Sequence, residues 1–207
     1  MLCVLARTLF GVRSRRAAIS SSAIFLVVFI VMHAFGNLTF FFGKDAFNGY
    51  GAKLHALGPL FTAVEAYTFA GFALHVGTGV WLTLSDRKLK LDPAKFSWAQ
   101  ARLVLSGVVV LAFLVLHILT FRFGAWYETT LAGGGAASSA VRDLHRLQRE
   151  VFARGGVVAW YVGAALVLGA HLLWGWQKTV RKPQGPVRNS TELAYHLFHS
   201  LFLLFFN

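Results

Sequence analysis

The sequence predicts an all-α integral membrane protein with five transmembrane helices, on three observations. Of 207 residues, 57% are hydrophobic and 14% charged, whereas a soluble domain carries about 25% charged residues. The apolar residues form long uninterrupted runs, with a mean hydropathy of +0.60, which points to a bilayer as solvent rather than to one globular core. The basic residues fall in the gaps between those runs. The net charge of +12 therefore does not form the exposed basic face that nucleic acid would require. It orients helices and meets anionic lipid, ligand or a partner subunit.

The runs can be placed in order. The first extends from about Ala18 to Phe42, the second from Phe61 to Leu84, the third from Ala101 to Phe121 and the fourth from Gly155 to Lys178. Each reaches the roughly 20 residues that a helical span requires. The fifth, residues 190–207, contains LAYHLFHSLFLLFF and is shorter than a full span. A basic segment, residues 1–17, precedes the five-helix domain of residues 18–207. Its Arg7, Arg13, Arg15 and Arg16, with no acid through Ser22, have the character of a mitochondrial targeting segment or of a basic lead-in on the inner side.

Loop charge sets the orientation. Arg7, Arg13, Arg15, Arg16, Arg87, Lys88, Lys90, Lys95, Arg102, Lys178, Arg181, Lys182 and Arg188 belong to the N-terminal, second-loop and fourth-loop side. Lys44, Lys53, Arg122, Arg142, Arg146, Arg149 and Arg154 belong to the other, thirteen against seven. The N-terminus is expected inside, in cytoplasm or matrix, and the C-terminus outside. No internal repeat is evident. In the third loop, Arg142, Leu144, Leu147, Val151 and Phe152 fall at helical spacing, which predicts a short amphipathic surface helix leading into the fourth span. The lone Cys3 permits no intrachain disulfide, and no Cys-x-x-Cys-His occurs, so any haem is held non-covalently.

Each of the first four spans holds one histidine: His33, His75, His117 and His171. An ionisable residue inside a span is costly and points to function. A single one is readily a hydrogen-bonded core residue, but one per helix is harder to explain that way. Each lies about 2–5 residues past the middle of its own helix, roughly 3–8 Å off centre at 1.5 Å per residue. Consecutive helices run in opposite directions, so His33 and His117 fall in the outer half of the membrane and His75 and His171 in the inner half. Each pair can supply two axial imidazoles to one haem iron. The two irons would stand roughly 10–15 Å apart along the membrane normal, by the same rise. A porphyrin face needs small residues one turn from its ligand. Gly36 follows His33, Gly71 and Gly79 flank His75, and Gly175 follows His171. The alternative is that these glycines serve close helix packing. His117 has Phe113 and Phe121 at that spacing instead.

Two haems bring four propionates, which need basic or polar partners near the membrane surfaces. Lys44, Lys53 and Arg122 are candidates beside the outer pair, and Arg87, Lys88, Lys178 and Arg181 beside the inner pair. Topology charge alone explains any one of them equally well. His55 in the first loop and His145 in the surface helix read as solvated or propionate-facing, and His196 and His199 as lining residues of the fifth segment rather than ligands.

Three stretches carry a family resemblance. HAFGNLTFFFGKDAFNGYGAKLH (33–55), GFALHVGTGVWLTLSDRK (71–88) and DLHRLQREVFARGGVVAWYVGAALVLGAHLLWGWQ (143–177) resemble the cytochrome b subunits of type B, dihaem succinate:quinone oxidoreductases. The resemblance extends over nearly the whole chain. It implies the membrane anchor of succinate dehydrogenase (respiratory complex II, shared with the tricarboxylic acid cycle) or of fumarate reductase, with two haem b as cofactors and ubiquinone or menaquinone as substrate. It also implies flavoprotein and iron–sulfur partner subunits on the inner side, which carry the dehydrogenase chemistry, and possible inclusion in a larger respiratory assembly. Electrons would pass from the iron–sulfur clusters to the inner haem of His75 and His171, then to the outer haem of His33 and His117. The chain departs from the family in SRRAAISSS before the first helix and in the short fifth segment. These departures fit an organellar version of the family and favour the mitochondrial inner membrane slightly over a bacterial cytoplasmic one.

Quinone needs a hydrogen-bonding side chain near a haem edge. Asn37, Asn48, Glu65 and His55 are the outer candidates, and Asp86, Trp98 and Ser106 the inner ones. Two other function classes compete with this reading. A proton-coupled transporter with a histidine relay would favour carboxylates beside the histidines and broken, repeated helices. A structural subunit would use its histidines as interhelical hydrogen bonds and carry no cofactor.

Overall fold

The computed structural model describes residues 12–85, 98–132 and 140–180, with the side chains of 12–16 and 178–180 left aside. The N-terminal residues 1–11 and the predicted fifth span, with its His196 and His199, lie outside the described residues. In chain order the elements are α1 (Val12–Leu38), a 3-10 turn (Thr39–Phe42), α2 (Lys44–His55), α3 (Pro59–Leu84), α4 (Trp98–Phe121), β1 (Glu128–Thr129), β2 (Val141–Arg142), α5 (Leu144–Phe152) and α6 (Gly155–Val180). Three stretches are long and apolar enough to cross a membrane: Ala17–Phe42, Trp98–Phe121 and Gly155–Gln177. The count rises to four if the bent pair α2–α3 forms one span. The protein is thus essentially all-α, with the character of an integral membrane protein.

The distribution of side chains is that of a lipid-immersed bundle. Met32, Leu105 and Leu166 are 63%, 60% and 72% exposed, while Ser22, Thr68, Thr78 and Ser106 are buried. Apolar groups outside and small polar groups inside reverse the soluble pattern, because lipid does not drive apolar side chains inward. The buried hydroxyls remain satisfied within their own helices: Thr68 Oγ1 donates to the Val64 carbonyl at 2.8 Å and Ser106 Oγ to the Leu103 carbonyl at 3.1 Å.

The described chain divides into two compact units, one within Met1–Phe96 and Leu114–Trp160, the other within Ser97–Phe113 and Tyr161–Asn207. In the first unit, α1 packs against α3. The Phe25 ring meets Tyr67 edge-on at 4.9 Å and Phe29 meets Phe72 at 6.1 Å. A Cβ on Gly71 would lie 2.7 Å from the Phe25 ring, so this glycine admits an aromatic ring between the helices. Gly36 does the same for Tyr50 of α2, also at 2.7 Å. The close-packing role weighed for these two glycines is the one the contacts show. Among the described residues, a Cβ on Gly175 would meet nothing within 4 Å.

Two departures from the sequence reading have local causes. The first loop is largely helical. Gly43, at φ 96°, ends the 3-10 turn, and Asp45 in the first turn of α2 with Lys53 and His55 in its last complement the helix dipole. Gly58, at φ 57°, and Pro59 at the start of α3 then turn the chain by 92°, since proline suits a first helical turn and disfavours helix before it. The surface helix begins at Leu144 rather than Arg142. Asp143 is its N-cap, with φ −83° and ψ 78°, and accepts from the Arg146 backbone N–H; a capping residue sits outside helical φ/ψ. Arg142 instead lies in β2, where it pairs with Glu128. Its guanidinium donates to the Arg122, Gly124 and Ala125 carbonyls at 3.2–3.4 Å, covering the C-terminal end of α4.

The junction of α2 and α5 is pinned by one buried amide. Asn48, 1% exposed, donates through Nδ2 to Asp143 Oδ1 at 2.9 Å and accepts the His145 backbone N–H at 3.0 Å. One side chain thereby fixes α2 to the start of α5.

Candidate functional site

The four span histidines lie on α1, α3, α4 and α6. Their surroundings separate them into two kinds. His33 and His117 meet directly, with ring centroids 5.6 Å apart and planes at 84°. Phe29, one turn before His33, stacks on its ring at 5.7 Å, and Phe121 lies 5.2 Å from the His117 ring. Two imidazoles on one metal have their coordinating nitrogens about 4 Å apart, from metal–nitrogen bonds of about 2 Å. The ring centroids then lie roughly 6 Å apart, about 1 Å beyond each nitrogen, and the 5.6 Å between His33 and His117 is near that spacing, so these donors could take one iron between them.

His75 and His171 each face a serine instead. Ser22 Oγ of α1 lies 3.3 Å from His75 Nδ1, and Ser106 Oγ of α4 lies 2.9 Å from His171 Nδ1. Both serines are 5% exposed. A Cβ on Gly107 would come within 3.3 Å of His171 Cε1, so glycine there lets the imidazole edge approach the α4 backbone. His75 and His171 lie in different units, and their pairing rests on the depth argument from sequence.

The serines also register depth. Ser22 precedes His33 by eleven residues on α1, and Ser106 precedes His117 by eleven on α4. Eleven residues of α-helix rise about 16 Å. On α1, the level of His75, marked by Ser22, is therefore about three turns from the level of His33. This recurrence, SAIFLVVFIVMH against SGVVVLAFLVLH, is an internal likeness that hydropathy alone did not disclose. It emerges once the serine contacts show which positions to align.

The chain matches no described protein family, no curated protein and no solved structure.

The remaining candidates fall into place individually. Glu65 of α3 forms a two-point ion pair with Arg122, Nε to Oε1 at 2.9 Å and Nη2 to Oε2 at 3.3 Å, so an outer quinone candidate and an outer propionate candidate engage each other. Asn37 Nδ2 donates to the His33 carbonyl at 2.8 Å. Asn48 is committed to the α2–α5 junction. His55 is exposed and edge-on to Phe61 at 4.9 Å, and His145 stacks on Phe40 at 4.6 Å. Lys44 borders a cavity of about 440 Å³ with His145, Arg146 and Arg149 of α5, and Lys53 is exposed. Trp98 is 74% exposed, and Ser106 binds His171. Asp86, Arg87, Lys88 and Arg181 lie outside the described residues, as does the Lys178 side chain.

From sequence, Arg102 is a topology charge only. In the second unit its guanidinium lies 5.0 Å over the Trp174 ring, and its Nε is buried without a hydrogen-bond acceptor among the described residues. Arg102 is one turn before Ser106, and Trp174 is three residues after His171. An arginine held this way is preorganised for an anionic group.

Proposed function

We propose that the chain is the dihaem cytochrome b anchor of a succinate:quinone oxidoreductase, with His33 and His117 holding an outer haem and His75 and His171 an inner one. The observation that carries the reading is the His33–His117 pair, two imidazoles from separate spans brought to 5.6 Å in a bundle whose other two span histidines have Nδ1 engaged by serine. When bound, the haems supply one-electron transfer between an iron–sulfur partner on the inner side and quinone.

The chain's own residues bind, orient and insulate. Neutral imidazoles provide the axial nitrogens. Phe29 and Phe121 wall the outer pair with apolar rings, which limits water access and influences potential. Arg102 on the inner side, with Lys44 and Lys53 on the outer side, offers cationic partners for propionates. The redox chemistry belongs to the cofactors, and the protein contributes geometry and electrostatics. A histidine proton relay would need acids beside the histidines. Among the described residues, Glu65 is the acid nearest a span interior, and it pairs with Arg122.

The test is functional. Membranes containing the tagged chain with its partner subunits should show b-type absorption that succinate reduces, and a flavoprotein and an iron–sulfur protein should co-purify with the tag. A b-type signal that succinate leaves oxidised would reject the proposed electron donor.

A further inference from the structure

We propose that Ser22 and Ser106 are positioning residues that fix His75 and His171 as Nδ1–H tautomers, so that Nε2 of each ring is the nitrogen presented to iron. This inference rests on the haem reading above and assigns a task to two residues outside the ligand set.

The tautomer follows from counting protons. A serine hydroxyl has one hydrogen and two acceptor lone pairs. Ser22 Oγ lies 3.1 Å from the Ile19 carbonyl oxygen, and Ser106 Oγ lies 3.1 Å from the Leu103 carbonyl oxygen. Two oxygens at that separation attract only when a proton lies between them, and a carbonyl has none to give. Each serine proton therefore points to the carbonyl three residues back in its own helix. The oxygen that remains faces histidine Nδ1 as an acceptor, and Nδ1 must carry hydrogen to complete the bond. A neutral imidazole has one N–H, so the lone pair is on Nε2.

The recurrence strengthens the assignment. The same chain of carbonyl, serine and Nδ1 is built twice, once in each unit, from different helices, and each serine precedes a second span histidine by eleven residues. Metal-bound histidines characteristically donate their other ring N–H to an oxygen acceptor, which orients the ring and raises its basicity. Aromatic rings flank the other pair: Phe29 stacks on His33 and Phe121 lies against His117. The two haems are thus tuned differently. A more basic axial ligand favours ferric iron, so the serines hold the potential of the inner haem down.

The experiment is a potentiometric titration of the b-type absorption in the intact complex, with low-spin ferric EPR of the same samples, for wild type, Ser22→Ala, Ser106→Ala and Ser106→Thr. The expected result is an upward shift of one midpoint potential in each alanine variant, the other haem unchanged. The EPR signal of that haem should change as its axial ring loses its anchor, and Ser106→Thr, which restores a hydroxyl, should return both readouts towards wild type. Loss of one haem in an alanine variant, recovered by threonine, has the same meaning. Two haems with unaltered potentials and EPR in both alanine variants would overturn the inference while leaving the haem reading intact, as would equal shifts of both haems. A wild-type complex without b-type absorption overturns the haem reading and this inference together.

Discussion

At the scale of single residues, the proposed activity depends on imidazole nitrogens set at two levels. His171→Ala should abolish the inner haem and leave the outer one, and His117→Ala should do the reverse, each read from the reduced-minus-oxidised spectrum of the purified complex. Loss of the same haem in both variants would break the pairing. The histidines were legible in the sequence because an ionisable group in an apolar span is conspicuous. Their serine partners are not: in sequence Ser106 is a quinone candidate only and Ser22 carries no signal, since a lone serine in a membrane helix usually satisfies itself on its own backbone. Only the contacts to His75 and His171 distinguish these two. Arg102 was hidden for a related reason, because a cation near a span end reads first as a topology signal.

At the scale of elements, the junction of α2 with the hairpin and α5 depends on a few polar contacts rather than on a large core. Asn48→Ala would leave Asp143 and the His145 N–H without their partner and should cost about 1–3 kcal/mol, measured as a loss of thermal stability in detergent. Burial tends to raise the Asp143 carboxyl, but the Asn48 amide, the Arg146 N–H and the Lys44 and His145 charges outweigh it and hold it below its ordinary 3.8. A carboxylate depressed in the folded state stabilises the protein above its unfolded value, and that contribution is lost as pH falls through the folded value. Wild type should therefore lose stability as pH falls below 3.8, a step that Asp143→Asn should lack. An identical acid profile in the two proteins would refute the role of this cap. Gly58 has φ 57°, so Gly58→Ala should cost about 1–3 kcal/mol through backbone strain. Helix α2 and the short hairpin escaped sequence reading because they lie in a stretch without strong apolar periodicity. What positions them is capping and glycine geometry, which leave weak marks on composition. The surface helix α5 is legible, two residues offset, because its apolar face repeats at helical spacing.

At the scale of the whole molecule, the spans read from hydropathy, beginning near 18, 101 and 155, agree with the membrane-length stretches beginning at Ala17, Trp98 and Gly155. Apolar run length alone determines those boundaries. The second span was read as a simple helix, whereas α3 joins α2 through the 92° bend, a feature set by two residues, Gly58 and Pro59. The positive-inside imbalance makes a further prediction: a cysteine placed at Thr130 of the hairpin loop, in a Cys3→Ser background, should react with an impermeant thiol reagent from the outer side. Reaction only from the inner side would invert the proposed order of the haems. The most direct test of the account is the haem content of the assembled complex, measured per chain as b-type haemochrome for wild type, His117→Ala and His171→Ala. The account predicts two haems in wild type and one in each variant, with different midpoint potentials for the haem that remains; wild type without haem b would contradict it.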